Sequence, residues 1–134
     1  MVKSSINTVL LVEDNADDEH LMLRTLRKSV PPVEVQVARD GQQALDILLE
    51  SDAPLPTIVL LDLKLPKVSG LTVLATLKGN IRASRVPVVV LVSPDAPDDI
   101  RTSYECYANG AMEKPVSLDE FTKILKRLGI GSND

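Results

Sequence analysis

The sequence predicts a doubly wound α/β domain, with five strands and five helices alternating as (βα)5 around a parallel sheet. Two patterns and a length carry this. Short apolar runs recur near Ile6–Val12, Val33–Val37, Ile58–Leu61 and Val88–Val92, and segments with apolar residues at helical spacing separate them. Strands that are apolar throughout are buried on both faces, which requires helices above and below a parallel sheet. At 134 residues and 44% apolar content the chain suits one domain with a full core.

Each element has its own signal. The run Val9-Leu10-Leu11-Val12 ends in Glu13 and Asp14, as a buried strand does at a sheet rim. Asn15 can N-cap the helix that follows, with Asp17, Asp18 and Glu19 in its first turn, where the helix dipole favours anions. Val33, Val35 and Val37 alternate with Glu34 and Gln36, the pattern of a half-buried strand near an edge. Ala44, Leu45, Leu48 and Leu49 mark a helix over Gly41–Glu50. Ile58–Leu61 is a third strand ending at Asp62. Leu71, Leu74, Leu77 and Ile81 mark a third helix, and Val88–Val92 is the most continuously apolar strand.

Ile100, Tyr104, Tyr107 and Ala108 form a helical stripe over Asp98–Ala108. Ala111-Met112 is a short fifth strand. Ser117 and Glu120 make a capping box for a last helix carrying Leu118, Phe121, Leu125 and Leu128. Right-handed crossovers then favour the flavodoxin-like strand order 2-1-3-4-5. Residues 1–134 read as a single domain with its core over about 6–128.

Composition removes several functions. The net charge is −4 and no Lys/Arg stripe is present, so nucleic acid is not an expected partner. With three aromatics, Tyr104, Tyr107 and Phe121, there is no stacking platform for single strands either. No apolar run approaches the ~18 residues of a membrane span, and no secretory apolar segment opens the chain. A single Cys allows no internal disulfide, so a cytoplasmic setting is expected. One His leaves no catalytic Ser-His-Asp set and no His-rich zinc site.

In such sheets the site lies at the carboxyl ends of the strands. There the chain places Glu13 and Asp14 after strand 1, Asp62 after strand 3, Ser93 after strand 4 and Lys114 after strand 5. Crowded carboxylates invite a hard divalent cation, Mg²⁺ or Mn²⁺. A carboxylate beside such a cation can attack phosphorus and form an aspartyl phosphate, and a nearby ammonium can pair first with the carboxylate and then with phosphoryl oxygens. The residues read as a metal-assisted phosphoryl acceptor.

The segments Leu10-Leu11-Val12-Glu13-Asp14-Asn15, Leu60-Leu61-Asp62-Leu63-Lys64-Leu65-Pro66 with Gly70, and Lys114-Pro115 resemble the CheY-like receiver domain of two-component response regulators. The resemblance covers essentially the whole chain, with 48 residues from Asp14 to Asp62 and 52 from Asp62 to Lys114. Glu13 to Asp18 and Asp62 to Lys67 are similar to the small stand-alone receivers, some of which serve phytochrome-type kinases. The resemblance implies that Asp62 accepts a phosphoryl group from a sensor histidine kinase or a His phosphotransfer domain. It implies a metal held by Asp14, Asp62 and the Lys64 carbonyl, with Glu13 acting through water, and Lys114 on the phosphoryl group. It also implies a cis Lys114–Pro115 bond. Such receivers often pair as homodimers through the helix 4–strand 5–helix 5 face. They are signalling proteins rather than enzymes with an outside substrate.

Two positions depart from the family. Its switch hydroxyl at the end of strand 4 falls on Val92, and its switch aromatic falls on Ala111. Ser93, next to Val92, reads either as a displaced hydroxyl donor or as an ordinary loop Ser. The Lys64 side chain reads either as a shield over the phosphoryl group or as a solvated Lys. The alternative function is a degenerate receiver acting as a protein-binding module without the usual switch. A third reading, an aspartyl phosphatase, fails at Lys64, where a second Asp belongs. Tyr107 stands where many receivers have Gly, so Asn109-Gly110 is expected to supply the turn after helix 4.

Overall fold

The computed structural model describes residues 7–30, 32–50, 52, 54–94 and 97–130. Five parallel strands lie in the order β2-β1-β3-β4-β5: β1 Asn7–Val12, β2 Val33–Ala38, β3 Ile58–Asp62, β4 Val88–Val92 and β5 Gly110–Glu113. The connecting helices are α1 Ala16–Leu26, α2 Gly41–Leu45, α3 Gly70–Lys78, α4 Pro97–Glu105 and α5 Leu118–Arg127. The expected order is the observed one. Ile6, read as the start of β1, lies outside the described residues.

Strand alternation divides the core in two. Leu10, Val12, Val59, Leu61, Val88 and Val90 pack with Ala44, Leu48, Val73, Leu74 and Leu77 of the α2–α3 side. Val9, Leu11, Ile58, Leu60, Val89 and Leu91 pack with Met22, Leu26, Phe121, Ile124 and Leu125 of α1 and α5. Every residue of β3 and β4 is buried, whereas β2 alternates as an edge strand. This rigid sheet fixes the spacing of the strand ends.

Caps start the helices where side chains can satisfy free N–H groups. Asn15, Asp40, Ser69 and Ser117 accept from the backbone N–H of Asp18, Gln43, Thr72 and Glu120. The expected helix over Gly41–Glu50 is present in two parts. After Leu45 it widens into a π-helical turn over Asp46–Glu50.

Two expectations fail in the helices. Ile81 is not part of α3. The helix stops at Gly79, Asn80 caps the short turn Ala83–Arg85 by accepting from the Ala83 N–H, and Ile81 is exposed.

The α4 stripe is also wrong. Ser103 is buried and Ala108 nearly so, while Tyr104 and Tyr107 face outward at 48% and 75% exposure. The side chain of Ile100 lies outside the described residues. For Tyr107 and Ala108 the cause is the helix end. The Tyr107 N–H donates to the Tyr104 carbonyl and the Ala108 N–H to the Ser103 carbonyl, a Schellman closure. Tyr107 occupies its left-handed position at φ 71°. Asn109-Gly110 is not the turn. Asn109 already pairs with Val88, donating its N–H to the Val88 carbonyl, and Gly110 opens β5.

Candidate functional site

The sheet brings Glu13, Asp14, Asp62 and Lys114 to one rim. Asp62 is the last residue of β3 and is buried. Lys114 follows β5, and its N–H donates to the Val92 carbonyl, so β4 holds it in register. Its Nζ lies 2.9 Å from Asp62 Oδ2 and 3.2 Å from Glu13 Oε1. The other Asp62 oxygen, Oδ1, accepts from the Lys64 backbone N–H at 3.0 Å. Both oxygens of the expected phosphoacceptor are therefore engaged, one by the ammonium and one by the loop after β3. The Lys114–Pro115 bond is cis.

Gly70 lets α3 begin directly against this loop. A Cβ there would overlap the Leu63 Cα and the Asp62 carbonyl oxygen. Its N–H donates to the Leu63 carbonyl.

Burial and charge set the protonation. Glu13 has no exposed surface. Its burial, and after that the adjacent Asp62, push its carboxyl up to about 8, against the pull of Lys114. Lys114 moves the other way. Partial burial works against its charge, but the hydrogen bond to Asp62 and the charges of Asp62 and Glu13 outweigh it and hold the ammonium above its ordinary value.

Glu13, Asp14 and Asp62 each present an oxygen within 4.8 Å of the others. Asp14 is exposed and the other two are buried. A set made of carboxylate oxygens, open on one side, fits a hard divalent cation that keeps several waters.

Ser93 and Val92 separate cleanly. Val92 packs into the core on the α2–α3 side. Ser93 borders a cleft of about 710 Å³ together with Lys64, Lys114, Asp18, Met22 and Val116. Ala111 is half-buried against the core.

One site residue was not singled out in the sequence. Asp18 Oδ2 lies 3.1 Å from Lys114 Nζ. In the sequence it is one of three acids in the first turn of α1, where the helix dipole already explains an anion. Nothing in the sequence separates it from Asp17 and Glu19, which share that first turn.

A doubly wound sheet with three acids and a lysine at its carboxyl rim defines a receiver of two-component signalling. Residues 9–126 match the model of the response regulator receiver domain, and the chain belongs to that family. It is 37% identical over 122 residues to response regulator Rcp1 of Synechocystis, covering 88% of this chain and 83% of Rcp1. The bacteriophytochrome response regulator AtBRR superposes with a TM-score of 0.85 at 42% identity, over 98% of both chains. The phosphorylated cyanobacterial phytochrome response regulator RcpA gives 0.77 at 37%, over 92% of this chain and 91% of that one. Rcp1 has also been solved in a Mn(2+)-bound form. The protein is thus a response regulator receiver, a component of phosphorelay signalling. Among the described residues no helix is long and apolar enough to cross a membrane.

Proposed function

We propose that this chain acts as a single-domain receiver, taking a phosphoryl group on Asp62 from a sensor histidine kinase or a His phosphotransfer domain. The observation that carries this is the Asp62 carboxylate itself, held at 2.9 Å by Lys114 and set against the carboxylates of Glu13 and Asp14. An Asp62 oxygen attacks phosphorus, the P–N bond of the phosphohistidine breaks, and the imidazole leaves with the electron pair. Lys114 then holds the phosphoryl oxygens with charge-assisted hydrogen bonds.

Asp14 and Asp62, with the Lys64 carbonyl and with Glu13 through water, would hold Mg²⁺, and Mn²⁺ by the same donors. The cation supplies neutralisation of the charge that gathers on the transferring group. Ser93 serves as the hydroxyl donor in place of Val92, because it borders the same cleft as Lys114. That cleft also carries Leu21, Met22 and Val116, an apolar floor on which a helix bearing the phosphohistidine can rest.

The kinship with the phytochrome response regulators AtBRR and RcpA supports a phytochrome-type kinase as donor. The exposed Tyr104 and Tyr107 beside β5 support a homodimer through the α4–β5–α5 face. Output then passes by protein contact, in the cytoplasm.

The test is a phosphate-affinity gel after incubation with acetyl phosphate and Mg²⁺. Wild type is expected to shift and Asp62→Asn is not. An unshifted wild-type band overturns the assignment.

A further inference from the structure

We propose that Asp18 is a positioning residue for the phosphoryl step, a placeholder on the N–H of Lys114 that a phosphoryl oxygen takes over. The inference rests on the reading of Asp62 as phosphoacceptor and Lys114 as its phosphoryl contact.

An ammonium has three N–H donors and accepts nothing. Lys114 Nζ has three carboxylate oxygens around it: Asp62 at 2.9 Å, Asp18 at 3.1 Å and Glu13 at 3.2 Å. The donors are fully subscribed. Contact with a phosphoryl oxygen therefore requires that one carboxylate give way.

The three differ sharply in what release costs. Glu13 has 0% side-chain exposure and Asp62 5%. Releasing Glu13 leaves a fully buried carboxyl group without a hydrogen-bond partner that water could replace, which is unfavourable. Asp62 is tethered to the new phosphoryl group and stays beside it. Asp18 has 39% side-chain exposure, so water replaces the ammonium at little cost. Asp18 is the partner that exchanges.

Its placement suits this role. The Asp18 N–H donates to Asn15 Oδ1 at 2.9 Å, which fixes the first turn of α1. The side chain borders the cleft shared by Ser93, Lys64 and Lys114. Its negative charge also stands where an anionic donor would enter. Removing that charge while keeping the shape is expected to weaken the hold on that Lys114 N–H and ease entry of the donor.

With acetyl phosphate the step balances without a proton. An Asp62 oxygen bonds to phosphorus, the bond from phosphorus to the acetyl oxygen breaks, and acetate leaves with the electron pair.

The test uses the full chain and three variants, Asp18→Asn, Asp18→Ser and Asp18→Glu, each checked for folding by thermal unfolding. Beryllofluoride binding with Mg²⁺ is titrated by fluorine NMR, alongside initial rates of phosphorylation by acetyl phosphate. Asp18→Asn and Asp18→Ser are expected to bind beryllofluoride about fivefold more tightly, the scale set by a partly exposed ion pair. Both are expected to react faster, and Asp18→Glu is expected to return toward wild type. A merely structural role would move the unfolding temperature and leave the affinity unchanged. Equal or weaker affinity in Asp18→Asn and Asp18→Ser overturns the proposal. Loss of beryllofluoride binding in wild type, or its persistence in Asp62→Asn, instead overturns the Asp62 reading on which the proposal rests.

Discussion

Tyr107→Gly is expected to stabilise the protein. Tyr107 sits at φ 71°, closing α4 in the place where a Schellman turn favours Gly. A left-handed conformation costs an L-residue roughly 1–2 kcal/mol. Glycine gives back part of that gain, roughly 0.5–1 kcal/mol, through its greater freedom in the unfolded chain. The ring is 75% exposed, so deleting it removes little burial. The balance is a gain of about 0.5–1 kcal/mol, or about 2–4 °C in Tm for a domain of this size. Urea unfolding and scanning calorimetry on wild type, Tyr107→Gly and Tyr107→Ala measure it. Alanine keeps the Cβ that causes the strain, so Tyr107→Ala is expected to gain nothing. A neutral or destabilised Tyr107→Gly, or an equal gain in Tyr107→Ala, refutes the reasoning.

Two further outcomes follow from the rim. The backbone N–H of Gln43 holds the Asp40 carboxyl below its ordinary value of 3.8, so the folded state binds this proton less readily than the unfolded chain. That contribution to stability is complete above pH ~4 and is lost as pH falls through the lower folded value. The urea midpoint of Asp40→Asn is therefore expected to fall less than that of wild type between pH 5 and pH 3, and parallel falls would refute it. Glu13→Gln removes one of the three carboxylates around the cation site, and Mg²⁺ affinity, followed by amide shifts, is expected to drop about tenfold. An unchanged affinity would remove Glu13 from the site.

The strands and the rim were legible because one physical rule produces both. A strand buried on two faces has to be apolar throughout, and the polar residues that end it fall at the sheet edge. Asp62 and Lys114 are 52 residues apart in the chain and 2.9 Å apart in space, and the parallel order alone was enough to bring them together. The end of α4 was not legible. Tyr107 violates the local preference for Gly, and the helix stops there anyway because the Schellman bonds and the pairing of Asn109 with Val88 outweigh one strained residue. The π-helical turn over Asp46–Glu50 was hidden too, because Leu48 and Leu49 keep the spacing of an ordinary helix. Asp18 was ambiguous for another reason. An acid in the first turn of a helix is explained by the dipole, and sequence does not say which such acid turns toward a lysine.

The two oxygens of Asp62 are tied to two different parts of the fold. Oδ2 is held by Lys114, and through it by Asp18 of α1. Oδ1 is held by the Lys64 N–H at the start of the loop before α3. In that loop Lys67 has φ 66°, and the Val68 N–H donates to the Pro66 carbonyl at 2.7 Å, a γ-turn of the rare, strained kind. Lys67 Nζ reaches Asp40 Oδ2 at 3.5 Å, and Asp40 caps α2. Gly41, the first residue of α2, lies so close to the Val68 carbonyl that a Cβ would overlap it. On the proposed reading, transfer of a phosphoryl group to either oxygen of Asp62 would weaken it as an acceptor, and the change would be delivered either to α1 or to this strained loop and the start of α2. Toward α4 the route is thinner, because the proposed hydroxyl is that of Ser93, one residue beyond β4, and β5 carries no ring. Val92 packs in the core and Ala111 has no ring to turn. The contacts leaving Asp62 thus lead to α1 and α2, the elements flanking the acidic rim.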